Sequence, residues 1–226
     1  MKRASVEYPH PVIPSALATD LDGTLTIGGS NLSPELTAIL LNVKKRGTKL
    51  ILATGRCTRE ARQISGHKLF DAMVAENGAV LAVGGTEQKK APPGWAGVRE
   101  LLLPHMGGGC EEVILSAGIE KLAVVRQILP AQARIEMNKD RMMVLPRGVD
   151  KGKGLLEVLS TFGIPPERTA CLGDGENDLS MFDVSGMRVA LENSVEELKL
   201  RADFVTAKSD GEGAIEAMTR LFPGAG

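Results

Sequence analysis

The sequence predicts an α/β protein in which helices cover a parallel sheet and a small α/β insert interrupts the chain. The first observation is that short apolar segments alternate with segments of helical periodicity across residues 16–78. The second is that this alternation resumes after residue 150. The third is that glycine and proline clusters break up residues 82–149, where the alternation stops.

The first half of the core is predicted from short strands that alternate with helices. Strands are expected at residues 16–21, 49–53 and 72–75. The first helix begins with Pro34, because proline suits the first helical position, and Gly47 is its expected C-terminal cap. A second helix is expected over residues 59–69. A strand–helix–strand repeat of this kind is typical of neighbouring parallel strands.

The second half of the core and the insert complete the predicted organisation. Core strands are expected at 169–172, 188–191 and 203–206, and core helices at 155–162, 178–182, 195–201 and 214–221. The insert is expected to contain strands at 112–115, 134–137 and 142–145 and a helix at 120–129. We therefore assign residues 1–81 and 150–226 to a core domain and residues 82–149 to a smaller α/β domain.

The composition excludes several classes of protein. The 226 residues are 43% hydrophobic, and 27 basic against 28 acidic side chains give a net charge of −1, so general attraction to nucleic acid or to anionic membranes is not expected. No apolar run is long enough for a transmembrane helix, and no secretory signal follows Lys2 and Arg3, so the cytoplasm is the expected location. The three cysteines have no CxxC spacing, and neither a disulfide framework nor a zinc site is expected. Residues 1–15 are expected to form a proline-bearing tail.

Two aspartates follow the first predicted strand in the segment Asp20-Leu21-Asp22-Gly23-Thr24. Side chains two positions apart on an extended chain point the same way, so both carboxylates are expected to face one site. One carboxylate can serve as a nucleophile and the other as a general acid and base, provided that a cation offsets their repulsion. An ordinary Asp-Gly turn is the alternative, but two unpaired acids after an apolar strand are costly to bury.

Three further polar clusters follow predicted strands or open predicted helices. They are Thr54-Gly55-Arg56, Lys151-Gly152-Lys153-Gly154 and Gly173-Asp174-Gly175-Glu176-Asn177-Asp178. The first cluster can bind phosphate oxygens. The second places lysines at a helix N-terminus, which a bound anion would explain. The acids of the third cluster suit Mg²⁺. Turns, helix caps and solvated lysines are the alternatives for each cluster alone. Because ligands bind at the carboxyl ends of strands in open parallel sheets, all four clusters are expected to converge.

In order and placement, the four clusters resemble the four motifs of the haloacid dehalogenase (HAD) superfamily. The fourth has the form typical of the Cof-like sugar-phosphatase branch, and Glu76-Asn77-Gly78 is similar to that branch's sequence just before its cap. The insert falls where this branch carries an α/β cap, and its size is most similar to that of archaeal-type phosphoglycolate phosphatases. The resemblance implies a Rossmann-like, doubly wound parallel sheet with a cap, and a Mg²⁺-dependent phosphatase.

The same resemblance implies a role for individual residues. Asp20 would form an aspartyl-phosphate and Asp22 would act as acid and base, so the implied catalytic residues are Asp20, Asp22, Thr54 and Lys151. The implied phosphate-binding residues are Thr54, Gly55, Lys151 and Asn177. The implied metal ligands are the carboxylates of Asp20 and Asp174 and the backbone carbonyl of Asp22, with Asp178 close by.

The cap is expected to select the substrate, and small phosphorylated metabolites are the predicted class because a closing cap excludes bulky molecules. Candidate cap contacts are Arg99, His105, Arg134, Asn138, Arg141 and Arg147. A sugar phosphomutase and a non-enzymatic phospho-acceptor module are the alternative functions. The unexceptional size of the insert disfavours the mutase, and the presence of an insert disfavours the phospho-acceptor module. A monomer or a homodimer is expected.

Overall fold

The computed structural model of the protein describes residues 13–26, 31–64 and 66–224, so most of the predicted tail lies outside the described residues. The strands of the larger sheet are β1 (Ala16–Thr19), β2 (Lys49–Ala53), β3 (Ala72–Ala75), β4 (Val80–Val83), β5 (Thr86–Lys89), β9 (Thr169–Gly173), β10 (Met187–Ala190) and β11 (Phe204–Val205). Their order is β11-β10-β9-β1-β2-β3-β4-β5. The strands from β11 to β3 are parallel, whereas β4 and β5 are antiparallel additions at one edge. The predicted fold class is confirmed.

Helices cover both faces of this sheet. The helices of the chain are α1 (Pro34–Lys45), α2 (Thr58–Ala61), α3 (Trp95–Met106), α4 (Leu122–Ile128), α5 (Lys151–Phe162), α6 (Leu179–Val184), α7 (Glu196–Arg201) and α8 (Asp210–Leu221). Helices α1 and α8 bury their apolar sides against one face, and α5, α6 and α7 cover the other. None of these helices, within the described part of the chain, has the length and apolar character needed to cross a bilayer.

Side chains that alternate between the two faces of each strand explain why helices pack on both sides of the sheet, and capping residues explain where the helices begin. Leu17 of β1 lies in the core under α1 and α8, while its neighbour Ala18 packs on the opposite face beneath α5. Helix α1 begins after Ser33, whose hydroxyl accepts a hydrogen bond from the Leu36 amide at 3.1 Å. The predicted helix at 59–69 is wrong: only α2 and a short 3₁₀ turn at 67–69 are helical.

The smaller domain is a three-stranded antiparallel sheet in the order β6-β8-β7, from β6 (Leu115–Gly118), β7 (Ala133–Asn138) and β8 (Arg141–Pro146). It packs with α3 and α4 around its own apolar core. The predicted start of this domain at residue 82 differs from the structure, because β5 belongs to the larger sheet. The pair Gly84-Gly85, with φ of 58° and 85°, forms the β4–β5 hairpin turn instead of a linker between domains.

The segment Glu76-Asn77-Gly78 joins β3 to β4 in the larger sheet and contacts the smaller domain. The buried carboxylate of Glu76 accepts the backbone N–H groups of Glu112 (2.8 Å), Val113 (2.8 Å) and Ile114 (3.1 Å). This explains why the strand predicted at 112–115 begins only at Leu115. Gly78 has φ of 92°, and a Cβ there would lie 2.1 Å from the Asp150 carbonyl oxygen. This turn therefore packs against the smaller domain and against the segment that returns the chain from β8 to α5.

The prediction that the cysteines form no disulfide is wrong. Cys57 and Cys110 form a disulfide, whereas Cys171 is a free, buried thiol. Cys57 precedes α2 in the core domain, and Cys110 lies in the connection between α3 and β6. The bond therefore ties the cap to the core. The sequence separation of 53 residues gives no local pattern from which the pairing could have been predicted.

Candidate active site

The predicted polar clusters meet at the carboxyl ends of three adjacent strands. Strand β1 lies between β2 and β9 in the sheet, and all three are parallel. Asp20, Thr54 and Asp174 each follow the last residue of one of these strands. The site is therefore built by the strand order, which brings together residues far apart in the sequence.

Three carboxylates form the centre of the site. Asp20, Asp174 and Asp178 are buried and offer oxygens that all lie within 4.8 Å of one another. The Asp178 carboxylate is fixed because it accepts the backbone N–H groups of Asp174 (2.9 Å) and Gly175 (3.1 Å). Gly23, with φ of 80°, allows close approach of the first loop, since a Cβ there would lie 2.3 Å from an Asp174 oxygen.

Lys151 inserts its ammonium group between two of these acids. The side chain is fully buried, and Nζ lies 2.5 Å from Asp20 Oδ1 and 2.7 Å from Asp178 Oδ1. Burial disfavours the charged amine, but the two carboxylates outweigh it and raise the pKa of Lys151. Lys151 is the first residue of α5, which Asp150 caps by accepting the Lys153 amide at 2.7 Å. Lys153 itself is exposed, so Lys151 is the lysine of the site.

The negative charge of the centre exceeds what Lys151 offsets. Burial, with repulsion from Asp178 and Asp174, raises the pKa of Asp20 well above its usual value. Burial and the Asp178 charge raise the pKa of Asp174 to about 6. Carboxylates whose pKa rises for these reasons gain stability from a bound cation. Their hard oxygen atoms match the ligand preference of a divalent metal ion.

The Asp22 carboxylate lies outside the three-acid cluster. It forms a bidentate pair with Arg56, with Nε 2.7 Å from Oδ2 and Nη2 2.5 Å from Oδ1. Arg56 directly follows Thr54-Gly55, and the sequence analysis gave it no role. Asp22 still lines the same cavity as Asp20, in agreement with the expectation that both face one site.

The predicted phosphate-binding residues lie around this centre. Thr54 is buried, and its hydroxyl oxygen accepts the Arg56 amide at 3.1 Å. Gly55 and Asn177 line the cavity. The Asn177 side-chain amide donates to Asn77 Oδ1 at 3.2 Å.

A cavity of about 720 Å³ lies between Asp20 and the cap. Of the six candidate cap residues, Asn138 and Arg141 line it. Arg99 donates to the backbone carbonyls of Glu111, Val113 and Ile114, and Arg147 to that of Ala131. Arg134 pairs with Glu136 and the Val149 carbonyl. These three arginines therefore stabilise the cap, and they and His105 are not part of the cavity wall.

Lys139 is a site residue that sequence analysis missed. It lies at the tip of the β7–β8 hairpin with φ of 53°, and its ammonium group pairs with Asp174. Its backbone N–H donates to Glu176 Oε2 at 2.9 Å. The cap thus contacts the fourth motif directly through one tight turn. An isolated lysine between two predicted strands carries no sequence signal for such a contact.

Comparison with known proteins decides the family. The family profile of haloacid dehalogenase-like hydrolases matches residues 17–91 and 111–218. The chain belongs to this family. The segment between the two matched ranges of this HAD hydrolase, 92–110, contains α3 and ends at the disulfide cysteine of the cap.

Relatives of known function cover nearly the whole HAD chain. A phosphoglycolate phosphatase of Methanothermobacter thermautotrophicus is 30% identical over 91% of this chain and 98% of its own. A phosphoglycolate phosphatase of Archaeoglobus fulgidus is 31% identical over 92% of this chain and 97% of its own. A solved HAD subclass IIB sugar phosphatase superposes with a TM-score of 0.73 at 25% identity, covering 91% of this chain and 98% of its own. The predictions of family and of phosphatase activity are confirmed.

The HAD superfamily generally uses a divalent metal ion. The cluster of Asp20, Asp174 and Asp178 fits such an ion, because it offers three buried oxygen ligands and excess negative charge. The Asp22 carboxylate is not in this cluster. That the backbone carbonyl of Asp22 binds the metal ion stays a prediction.

Proposed function

We propose that this chain is a Mg²⁺-dependent phosphatase that hydrolyses phosphoglycolate or a similar small phosphate monoester through an aspartyl-phosphate at Asp20. The observation that carries the proposal is the position of Asp20. Its carboxylate lines the cavity, lies beside the buried Lys151 ammonium and belongs to the three-acid cluster. An anionic ester approaches a carboxylate only where positive charge offsets the repulsion. This site can supply positive charge from Lys151 and from a cation held by the three-acid cluster.

Asp20 is proposed as the nucleophile. One oxygen of its carboxylate attacks phosphorus, and the bond between phosphorus and the leaving alkoxide oxygen breaks. Lys151 positions the nucleophile and the phosphoryl group. Its contact with Asp20 Oδ1 fixes the carboxylate, and its charge attracts the phosphoryl oxygens. Thr54, Gly55 and Asn177 are proposed to complete the phosphoryl contacts from the loops that follow β2 and β9, on either side of β1.

Asp22 is proposed as the acid and base. It gives a proton to the departing alkoxide and later takes one from the water that attacks the phosphoenzyme, which releases phosphate and restores Asp20. In the structure both Asp22 oxygens are held by Arg56, so Arg56 has to release one of them for proton transfer. We infer that Arg56 keeps Asp22 at the cavity edge between turnovers.

Asp20 and Asp174, with Asp178 close by, are proposed to hold Mg²⁺, together with the Asp22 backbone carbonyl. When bound, Mg²⁺ would neutralise charge on the nucleophile and on the transferring phosphoryl group. The choice of Mg²⁺ rests on its preference for a few carboxylates completed by water and substrate phosphate.

The substrate class follows from the cap and from the relatives. The cap covers the cavity and reaches the fourth motif through Lys139, so bulky esters are excluded. The archaeal relatives are phosphoglycolate phosphatases, and the proposal extends that substrate to this chain. Exclusion of nucleic acid, a cytoplasmic location and a monomeric or homodimeric state stay predictions.

The test is a panel of small esters assayed with Mg²⁺ and with EDTA. The panel contains phosphoglycolate, hexose phosphates and p-nitrophenyl phosphate. We expect Mg²⁺-dependent phosphate release that the Asp20→Asn variant loses. Asp183→Asn is the matched control, because Asp183 forms only an exposed pair with Arg201 outside this cavity, and full activity is expected. Isomerised sugar phosphate without phosphate release would instead favour a phosphomutase.

A further inference from the structure

The cavity wall contains a cation that the proposed chemistry does not use. Among the described residues, Arg56 and Arg141 are the cationic residues that line the cavity. Arg56 is neutralised by its bidentate pair with Asp22. Arg141 is exposed, and its one hydrogen bond among the described residues is to the Ser116 hydroxyl at 3.3 Å. Most of the donor capacity of this guanidinium is therefore available to a ligand.

The position of Arg141 is fixed relative to the three-acid centre. Arg141 opens β8 and pairs directly across the hairpin with Asn138, the last residue of β7. Between them, Lys139 contacts Asp174 with its ammonium group and Glu176 with its backbone N–H. The β7–β8 hairpin thus contains both Lys139, which contacts the three-acid centre, and Arg141, which keeps donors available to a ligand. Asp20, Asn138 and Arg141 line the same cavity, so a substrate held at Asp20 can extend towards this hairpin.

Neighbouring side chains orient Arg141. The Ser116 hydroxyl donates its proton to Glu111, so its oxygen is left as an acceptor that faces Arg141. Asn138 lines the same cavity, and its buried side-chain oxygen has no hydrogen-bond partner among the described residues. Arg141, oriented by Ser116, therefore offers a charged group to the cavity, and Asn138 is a neutral neighbour in the same wall.

We propose that Arg141 determines substrate specificity by binding a carboxylate on the leaving group. The proposal rests on the phosphatase function proposed above. A second anion near three carboxylates would be repelled unless a separate cation held it. An arginine that keeps free donors in a planar fork is suited to a carboxylate, which it can bind with two parallel hydrogen bonds. A neutral sugar alcohol would not require this charge.

The test compares two esters of similar size in variants of Arg141. Phosphoglycolate carries a carboxylate, and 2-hydroxyethyl phosphate carries a neutral hydroxyl at the same place. The measured quantity is the ratio of kcat/KM for phosphoglycolate to kcat/KM for 2-hydroxyethyl phosphate. In Arg141→Gln we expect this ratio to fall roughly 10- to 100-fold, as for loss of a charge-assisted hydrogen bond. Arg141→Lys should recover part of the ratio, because it restores the charge without the planar fork.

Arg147→Gln is the matched control, because this cap arginine binds the Ala131 carbonyl outside the cavity wall. Its ratio should equal that of the unmodified protein. The proposal is overturned if Arg141→Gln lowers both esters equally, or if the unmodified protein prefers the neutral ester. If the unmodified protein hydrolyses neither these esters nor p-nitrophenyl phosphate, the proposed function itself fails, which is a different result.

Discussion

Reduction of the disulfide between Cys57 and Cys110 is expected to lower the free energy of unfolding by about 4 kcal/mol. The bond joins residues separated by 53 positions, and the entropy that it removes from the unfolded chain grows with the logarithm of this length. The relation gives roughly 3 kcal/mol for a 15-residue loop and about 4.7 kcal/mol for a 100-residue loop, which bracket this case. For a chain of 226 residues, the corresponding fall in melting temperature is roughly 8–16 °C.

The assay is urea unfolding followed by circular dichroism, with and without a phosphine reductant. The Cys57→Ser, Cys110→Ser double variant should match the reduced protein and show no response to the reductant. Cys171→Ser is the matched control, because Cys171 is a free thiol, and it should keep the full response. An equal unfolding midpoint in the oxidised and reduced protein would refute the reasoning. Titration of three free thiols in the denatured, unreduced protein would also refute it.

Three further perturbations test the site and the contact between the core and the cap. Lys151→Met should abolish turnover and lower the stability of the metal-free protein by about 3–5 kcal/mol in urea unfolding, because buried carboxylates lose their cation; unchanged stability would contradict this. The pKa of Asp174 is raised to about 6 by burial and by Asp178, so protons compete with the metal below that pH. Mg²⁺ affinity measured by calorimetry should therefore rise from pH 5 to pH 7 and then level off, and a flat profile would count against the assigned ligands. Glu76→Gln should cost about 1–3 kcal/mol in unfolding free energy, because the carboxylate binds three cap amides, whereas the same change at the exposed Glu157 should cost much less.

The sequence was sufficient to predict the core and the centre of the site. Short apolar segments identify parallel strands, and the polar residues that end them must meet once β1 lies between β2 and β9. Asp20, Thr54 and Asp174 were found in this way, and Lys151 was found at the start of a predicted helix. The end of β4 and all of β5 were assigned to the cap, because Gly84-Gly85 fits a hairpin turn and a break between domains equally well.

The missed features depend on contacts between residues that are distant in sequence. Lys139 meets Asp174 across 35 positions, and Arg56 meets Asp22 across 34. The Cys57–Cys110 bond has the same character, because neither cysteine belongs to a recognisable motif. The lysine and cysteine pairings are set by how the cap docks on the core, and the Arg56–Asp22 pair by how the loops after β1 and β2 meet. Local periodicity and spacing contain no information on either.

The central claim is that Asp20 becomes phosphorylated during turnover. The direct measurement is to mix the protein with Mg²⁺ and phosphoglycolate, quench with acid, and reduce the mixture with borohydride, which converts an aspartyl-phosphate to homoserine. Peptide mass spectrometry then locates the modified residue. The account predicts homoserine at position 20, absent when EDTA or Asp20→Asn is used. Steady phosphate release from a protein in which position 20 is never modified, or modification at Asp22 or Asp174 instead, would contradict it.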